Sequence, residues 1–120
     1  MNHIELGKKG ETLAVNHLVS KDFHILDRNY RWKNSELDIV CKNDEMLIVV
    51  EVKTRSTSVF GKPYSSVNRS KQRQLIKVAN KYIELKGIKM EVRFDVISII
   101  YNNKDMKLVH IENAFYPLCS

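Results

Sequence analysis

Leu47-Ile48-Val49-Val50-Glu51-Val52-Lys53 decides the fold of this chain. Side chains alternate faces along a strand, so Leu47, Val49, Glu51 and Lys53 share one face and Ile48, Val50 and Val52 the other. Both faces are apolar up to Glu51. That pattern belongs to an interior strand covered on both sides. An unpaired ion costs several kcal/mol to bury, so a Glu-x-Lys triplet at the end of such a strand marks a candidate site.

The flanking segments supply the rest of a small α/β domain. Upstream, Ile4 to Ser20 reads as a helix with Leu6, Gly10, Leu13, Ala14, Val15 and Leu18 on one broad face. Glu11 falls inside that face, as an acid aimed inward or at least along the boundary. Phe23 to Trp32 and Glu36 to Lys42 read as strands, the second with Leu37, Ile39 and Cys41 on one face and Glu36, Asp38 and Val40 on the other. Asn43-Asp44-Glu45 is a turn signal before the interior strand, Met46 to Thr54. Ser56 to Pro63 is a loop. Val67 to Lys86 is a long helix with an apolar stripe of Leu75, Val78, Ala79, Tyr82 and Ile83, stopped by Gly87. Arg93 to Tyr101 and Leu108 to Ile111 are the last strands, turned by Asn102-Asn103-Lys104-Asp105. The expected order is α-β-β-β-α-β-β in a single domain over residues 1–120. The sheet is mixed, with a helix on either side or both helices on one face.

Composition sets the class. With 120 residues, 43% hydrophobic and 28% charged, the chain fits one modest core. No apolar run approaches the roughly 20 residues of a membrane helix, and the N-terminus lacks a signal-peptide core. The expected location is cytoplasmic, with no membrane partner. Cys41 and Cys119 have no CxxC spacing and read as free thiols. The net charge is +6. Between Lys53 and Lys81 lie eight basic residues and no acid: Lys53, Arg55, Lys62, Arg69, Lys71, Arg73, Lys77 and Lys81. A segregated basic segment points to a polyanion, most often nucleic acid.

The acids can be placed by pairing the strands on either side of the Asn43–Glu45 turn. A two-residue loop at Asp44-Glu45 sets Asp38 directly opposite Glu51, with Cβ atoms about 5 Å apart. A loop at Asn43-Asp44 sets Glu36 opposite Glu51 and leaves Asp38 diagonal. Like charges this close are tolerated when one is protonated or a cation lies between them. Two carboxylates with room for water suit Mg²⁺, which lowers the pKa of a bound water and stabilises charge on phosphate. Lys53 would polarise the attacking water or neutralise the phosphorane. The composite is metal-assisted hydrolysis of a phosphodiester.

Five motifs carry a resemblance: Gly7-Lys8-Lys9-Gly10-Glu11, Arg28-Asn29-Tyr30-Arg31, Glu36-Leu37-Asp38-Ile39-Val40, Val50-Glu51-Val52-Lys53-Thr54-Arg55 and Arg93-Phe94-Asp95-Val96. In these the chain resembles the YraN-like proteins of the PD-(D/E)XK nuclease superfamily, related to archaeal Holliday-junction resolvases, from Leu6 to about Ile97. The resemblance implies a restriction-endonuclease-like fold. It carries the nuclease pattern onto Asp38, Glu51 and Lys53 as catalytic residues, with Glu11 completing a metal set of Glu11, Asp38 and Glu51. Lys71 and Gln72 match the basic and amide positions of the following helix. Ser35 stands where the pattern has Gly.

The functional expectation is a Mg²⁺- or Mn²⁺-dependent endonuclease acting on DNA, including branched or structured DNA. Nothing in the sequence sets DNA apart from RNA. Arg55, Lys62, Arg69, Lys71, Gln72 and Arg73 are the expected nucleic-acid contacts, with Tyr64 in the same loop as Lys62. The alternative is a nucleic-acid-binding protein that keeps the fold without turnover. A third reading makes the acids a buried ion-pair network with Lys53. A homodimer is compatible with the sequence but nothing demands one. His17, Tyr30 and Trp32 read as packing residues, with stacking on bases the alternative for Tyr30 and Trp32, and Asp95 as the partner of an Arg.

Overall fold

The computed structural model describes residues 1–57 and 67–116. The expected Lys62, Tyr64 and Cys119 lie outside the described residues. Seven elements follow in the expected order: α1 (His3–Ser20), β1 (His24–Trp32), β2 (Ser35–Lys42), β3 (Met46–Arg55), α2 (Arg69–Lys86), β4 (Glu91–Tyr101) and β5 (Met106–Phe115). The five strands form one mixed sheet in sequence order. Only β3 and β4 run parallel, joined across α2, and the other neighbours are antiparallel.

One helix covers each face. Leu75, Val78, Ala79 and Tyr82 of α2 pack with Leu37, Val40, Leu47, Val49, Phe94 and Val96. Ala14 and Leu18 of α1 pack with Ile39, Cys41, Ile48, Val50, Ile97 and Ile99 on the other side. Residues 47–50 thus alternate between two cores, which is why β3 reads as apolar on both faces.

Both helices begin on an asparagine cap. The Asn2 side chain accepts the Glu5 N–H, and the Asn68 side chain accepts the Lys71 N–H. The Asn68 cap starts α2 at Arg69 rather than Val67. Gly87, in the left-handed conformation with φ 64°, ends α2 as expected. β5 is longer than expected and runs through Glu112 and Asn113 to Phe115. The pairing of β4 with β5 shifts between Phe94 and Val96, and Asn113 has φ 52°. The shift lets Phe115 stack on Phe94 at 4.9 Å between ring centroids.

β2 departs from simple alternation. Leu37 lies in the α2-side core, not with Ile39 and Cys41 on the α1 side. The slip falls at Asp38. Across from it on β1, Asn29 takes φ 54° and stands between the pairs Arg28–Ile39 and Tyr30–Leu37. Asn tolerates that left-handed conformation better than most residues, so both strands change sides together. At the β1–β2 turn the positive φ, 56°, belongs to Lys33. Ser35 simply pairs with Trp32 as the first residue of β2.

α1 approaches β3 at Gly10, which is buried. A Cβ there would collide with the Thr54 side chain. Gly10→Ala should therefore destabilise the fold by about 1–3 kcal/mol, the range for overpacking a filled contact. Thr54→Ala should relieve part of that loss in the double variant. Urea melts of the three variants check both outcomes.

Candidate active site

The site forms where β2 leaves β3. The two strands pair from Ile39–Val50 to Lys42–Leu47, around a turn closed by the Asn43 N–H to the Met46 carbonyl. The loop residues are Asp44 and Glu45, so the first of the two registers holds and Asp38 stands across from Glu51. Pairing stops at Ile39–Val50 although β3 runs on to Arg55. In the fork so opened, the Asp38 carboxylate accepts the Val52 N–H at 2.8 Å. That bond holds Asp38 near the sheet plane, between the strands. Glu51 points to the α2 side, where Lys71 meets it at 3.6 Å.

The Glu51 carboxylate lies close enough to Asp38 for its charge to oppose ionisation of the Asp38 carboxyl. The Asp38 pKa rises from the usual 3.8 to about 7. Burial is the main cause and the Glu51 charge the next, against the lowering effect of the Val52 N–H. Glu36 adds a smaller push, and its own carboxylate is paired with Arg31 at 3.2 Å on the surface.

Glu11 reaches the same region from α1. Its pKa is raised, first by burial, while a hydrogen bond to Asn29 lowers it and the Asp38 charge raises it again. The left-handed Asn29 thus serves the turn of β1 and holds an acid of α1. Glu11 stands beside the Asp38–Glu51 pair rather than within it. Among the described residues no group of three or more His, Cys, Asp or Glu side chains is arranged to hold a metal ion. What the fork offers is a close pair of carboxylates. That donor set fits Mg²⁺ or Mn²⁺, hard cations that keep several waters when held by one or two carboxylates.

Lys53 lies two residues past Glu51 on the same face of β3, half-buried and beside Ser98 of β4. It makes no ion pair among the described residues; the ion partner of Glu51 is Lys71. The Lys53 ammonium is therefore not the structural counter-charge of the acids. Gln72 is committed locally, its side-chain amide donating to the Val67 carbonyl at 2.7 Å. Arg69 and Arg73 are exposed on α2, and Arg55 is half-buried at the end of β3.

Other singled-out residues serve the fold. The Asp95 carboxylate is 1% exposed. It accepts two hydrogen bonds from Arg93 at 2.9 Å, the Asn113 N–H at 2.9 Å, and stands 2.8 Å from the His110 Nε2. The other His110 nitrogen is 3.0 Å from the His17 Nε2, so His17 links α1 to β5 as well as packing. Tyr30 packs edge-on against Tyr82, whose hydroxyl donates to Asp27. The sequence reading missed Asn29 and Asn68. Asn29 had a legible signal as a turn-former inside a strand, and Asn68 as a cap before a helical stretch.

Fold and site together define a mixed five-stranded α/β protein with a carboxylate pair seated in the fork of its sheet. The chain belongs to the family described as "Uncharacterised protein family UPF0102", whose model matches residues 10–99. It is 48% identical to a UPF0102 protein of Christiangramia forsetii, over 95% of this chain and 96% of that one. It is 46% identical to one from Thermodesulfovibrio yellowstonii, over 97% and 100%, and 45% identical to one from Clostridium beijerinckii, over 92% and 93%. The matched region includes Glu11, Asp38, Glu51 and Lys53. No helix among the described residues is long and apolar enough to cross a membrane.

The raised pKa of Asp38 carries a stability consequence. Between pH 4 and pH 7 the folded state holds a proton that the unfolded chain has released. Stability therefore falls as pH rises through that window and levels off above it. Asp38→Asn replaces the carboxyl with a neutral amide that can still accept from the Val52 N–H. The Asn variant should match the parent near pH 4 and exceed it at pH 8 by on the order of 1–2 kcal/mol, allowing for partial exposure. Denaturant melts at the two pH values check this; a parent equally stable at both would show that the Asp38 pKa is not raised.

Proposed function

We propose that this protein is a Mg²⁺- or Mn²⁺-dependent endonuclease that hydrolyses DNA phosphodiester bonds, on branched or otherwise structured DNA, as its resemblance to the PD-(D/E)XK nucleases implies. The observation that carries the reading is the close Asp38–Glu51 pair, the Glu51 charge helping to raise the Asp38 pKa, with a lysine, Lys53, on the same strand that neither acid engages. Asp38 and Glu51 would hold the cation. When bound, the cation supplies an acidified water and charge stabilisation for the phosphoryl group. Glu11, kept by Asn29 beside the pair, is the third acid. Lys53 lies on the face of Glu51, where its ammonium orients the attacking water or meets the negative charge that grows on the phosphoryl oxygens. Lys71 tempers the Glu51 charge from α2 and shares it with a phosphate when the strand arrives.

The basic side of the molecule supports the same class of substrate. Arg69 and Arg73 extend the positive face of α2 beyond Lys71 and would track successive phosphates. A binder without turnover would use the same surface, so cleavage is the discriminating measurement.

Purified protein with Mn²⁺ or Mg²⁺ should cut a branched or partly single-stranded DNA and leave it intact in EDTA. Asp38→Ala should abolish cutting and retain binding, since it removes repulsion toward phosphate along with the cation. Lys53→Ala should abolish cutting too. Because Lys53 has no ion partner among the described residues, its loss should leave the melting temperature close to the parent's. Loss of a buried ion-pair partner would instead cost about 3–5 kcal/mol. Millimolar Mg²⁺ should raise the melting temperature of the parent at pH 8 but not that of Asp38→Asn. Binding without metal-dependent cutting on any of these substrates would establish the non-catalytic reading.

A further inference from the structure

On the α2 side of the sheet, a groove of about 410 Å³ runs between the β1–β2 turn and the first half of α2. Its walls carry Trp32 and Lys33 from the turn, and Ser70, Arg73 and Lys77 from α2. None of its lining residues is acidic. Lys33, Arg73 and Lys77 are exposed. Trp32, the chain's single tryptophan, is half-buried. It packs its inner side against the α2-side core and presents the rest to the groove. Lys33 stands over its ring at 4.7 Å from the centroid, and Lys81 at 5.8 Å.

The groove and the acid pair draw on the same two elements, β2 and α2. Ser35, also in its wall, opens the strand that carries Asp38 three residues later, and Ser70 precedes Lys71, the ion partner of Glu51. An aromatic face flanked by cations and free of acid is the chemistry that holds an unpaired nucleotide: the ring stacks on a base and the cations meet the phosphates on either side. A duplex keeps its bases stacked on one another and gives the indole nothing to pair with. Lys33 is exposed on a turn, so its ammonium can leave the ring for a phosphate as a base arrives.

We propose that this groove binds an unpaired stretch of a nucleic-acid strand, with Trp32 stacking on a base and Arg73 and Lys77 on its phosphates, and delivers the adjoining phosphodiester toward Asp38 and Glu51. The proposal rests on the nuclease reading for its purpose but not for its test.

The single tryptophan reports directly. In EDTA, where no cutting occurs, a 15-residue oligothymidylate should quench the Trp32 emission saturably at low salt, and high salt should reverse it. By anisotropy of a labelled oligothymidylate, Trp32→Phe should bind nearly as well as the parent. Trp32→Ala should bind roughly 5- to 150-fold more weakly, the range for one base–aromatic stack. Arg73→Glu with Lys77→Glu, both at exposed positions and so harmless to packing, should weaken binding and flatten its salt slope by about two. Unchanged emission with oligothymidylate, equal quenching by polyglutamate or by blunt duplex, or undiminished binding by Trp32→Ala would each overturn the groove. Quenching without metal-dependent cutting would leave the groove standing and remove the nuclease reading. Cutting with no quenching would do the reverse.

Discussion

The bond from the Val52 N–H to the Asp38 carboxylate sets the character of the whole site. An interior strand that outlasts its neighbour exposes backbone donors that must find partners. β3 outlasts its pairing with β2 by five residues, from Glu51 to Arg55. A side chain, not a strand, takes up the Val52 donor. That arrangement draws one carboxylate into the fork while the strand direction delivers a second, Glu51, and then a cation, Lys53, on the next residue of the same face. Were β2 to continue its pairing, the carboxylate would have no reason to lie between the strands.

The opening of the fork depends in turn on β1. Asn29 in its left-handed conformation lets β1 and β2 exchange faces together, sending Tyr30 and Leu37 into the α2-side core while Ile39 stays on the α1 side. The same side chain lies beside Glu11 and holds its pKa down against burial. One residue thus joins the irregularity that makes the fork to the acid that α1 brings beside it. Gly10, one residue before Glu11, lets α1 lie close enough to Thr54 of β3 for that approach. The positions of three acids on three elements therefore trace to two small backbone features.

Much of this was legible in the sequence, for definite reasons. The seven elements announce themselves because their apolar periods are clean: period two over Leu47–Val50 and a helical stripe from Leu75 to Ile83. The facing of Asp38 and Glu51 followed from a turn of only two plausible registers, and the structure holds the one centred on Asp44-Glu45. What pattern alone could not give was the break in alternation at Asp38, because Leu37 and Ile39 are equally apolar and equally at home in either core. Nor did it give the ion partner of Glu51. Lys53 is near in sequence, but Lys71 is near in space, brought by the capped start of α2. The far half of β5 escaped because its polar residues face solvent and the pairing shift hides the period.

Two aspartates in this fold make the site's chemistry plain by contrast. Asp95 is more deeply buried than Asp38, and burial alone would raise the pKa of both. Yet Asp95 is held below the usual carboxylate range, because His110, Arg93 and the Asn113 N–H all donate to it. Every lone pair that matters is met, and the group ties α1, β4 and β5 together through His110 and His17. Asp38 has one backbone donor and an acid for a neighbour, so its pKa rises to about 7. A fold able to neutralise one buried carboxylate so fully leaves another waiting for a positive charge. Structural carboxylates are met by the protein's own cations and donors; a close carboxylate pair whose charges oppose one another is one that a cation from outside would relieve. A divalent cation held by Asp38 and Glu51 would relieve that repulsion, which is why the pair is proposed to hold Mg²⁺ or Mn²⁺. That difference in partners, rather than in burial, is what singles out the fork between β2 and β3 as the candidate site.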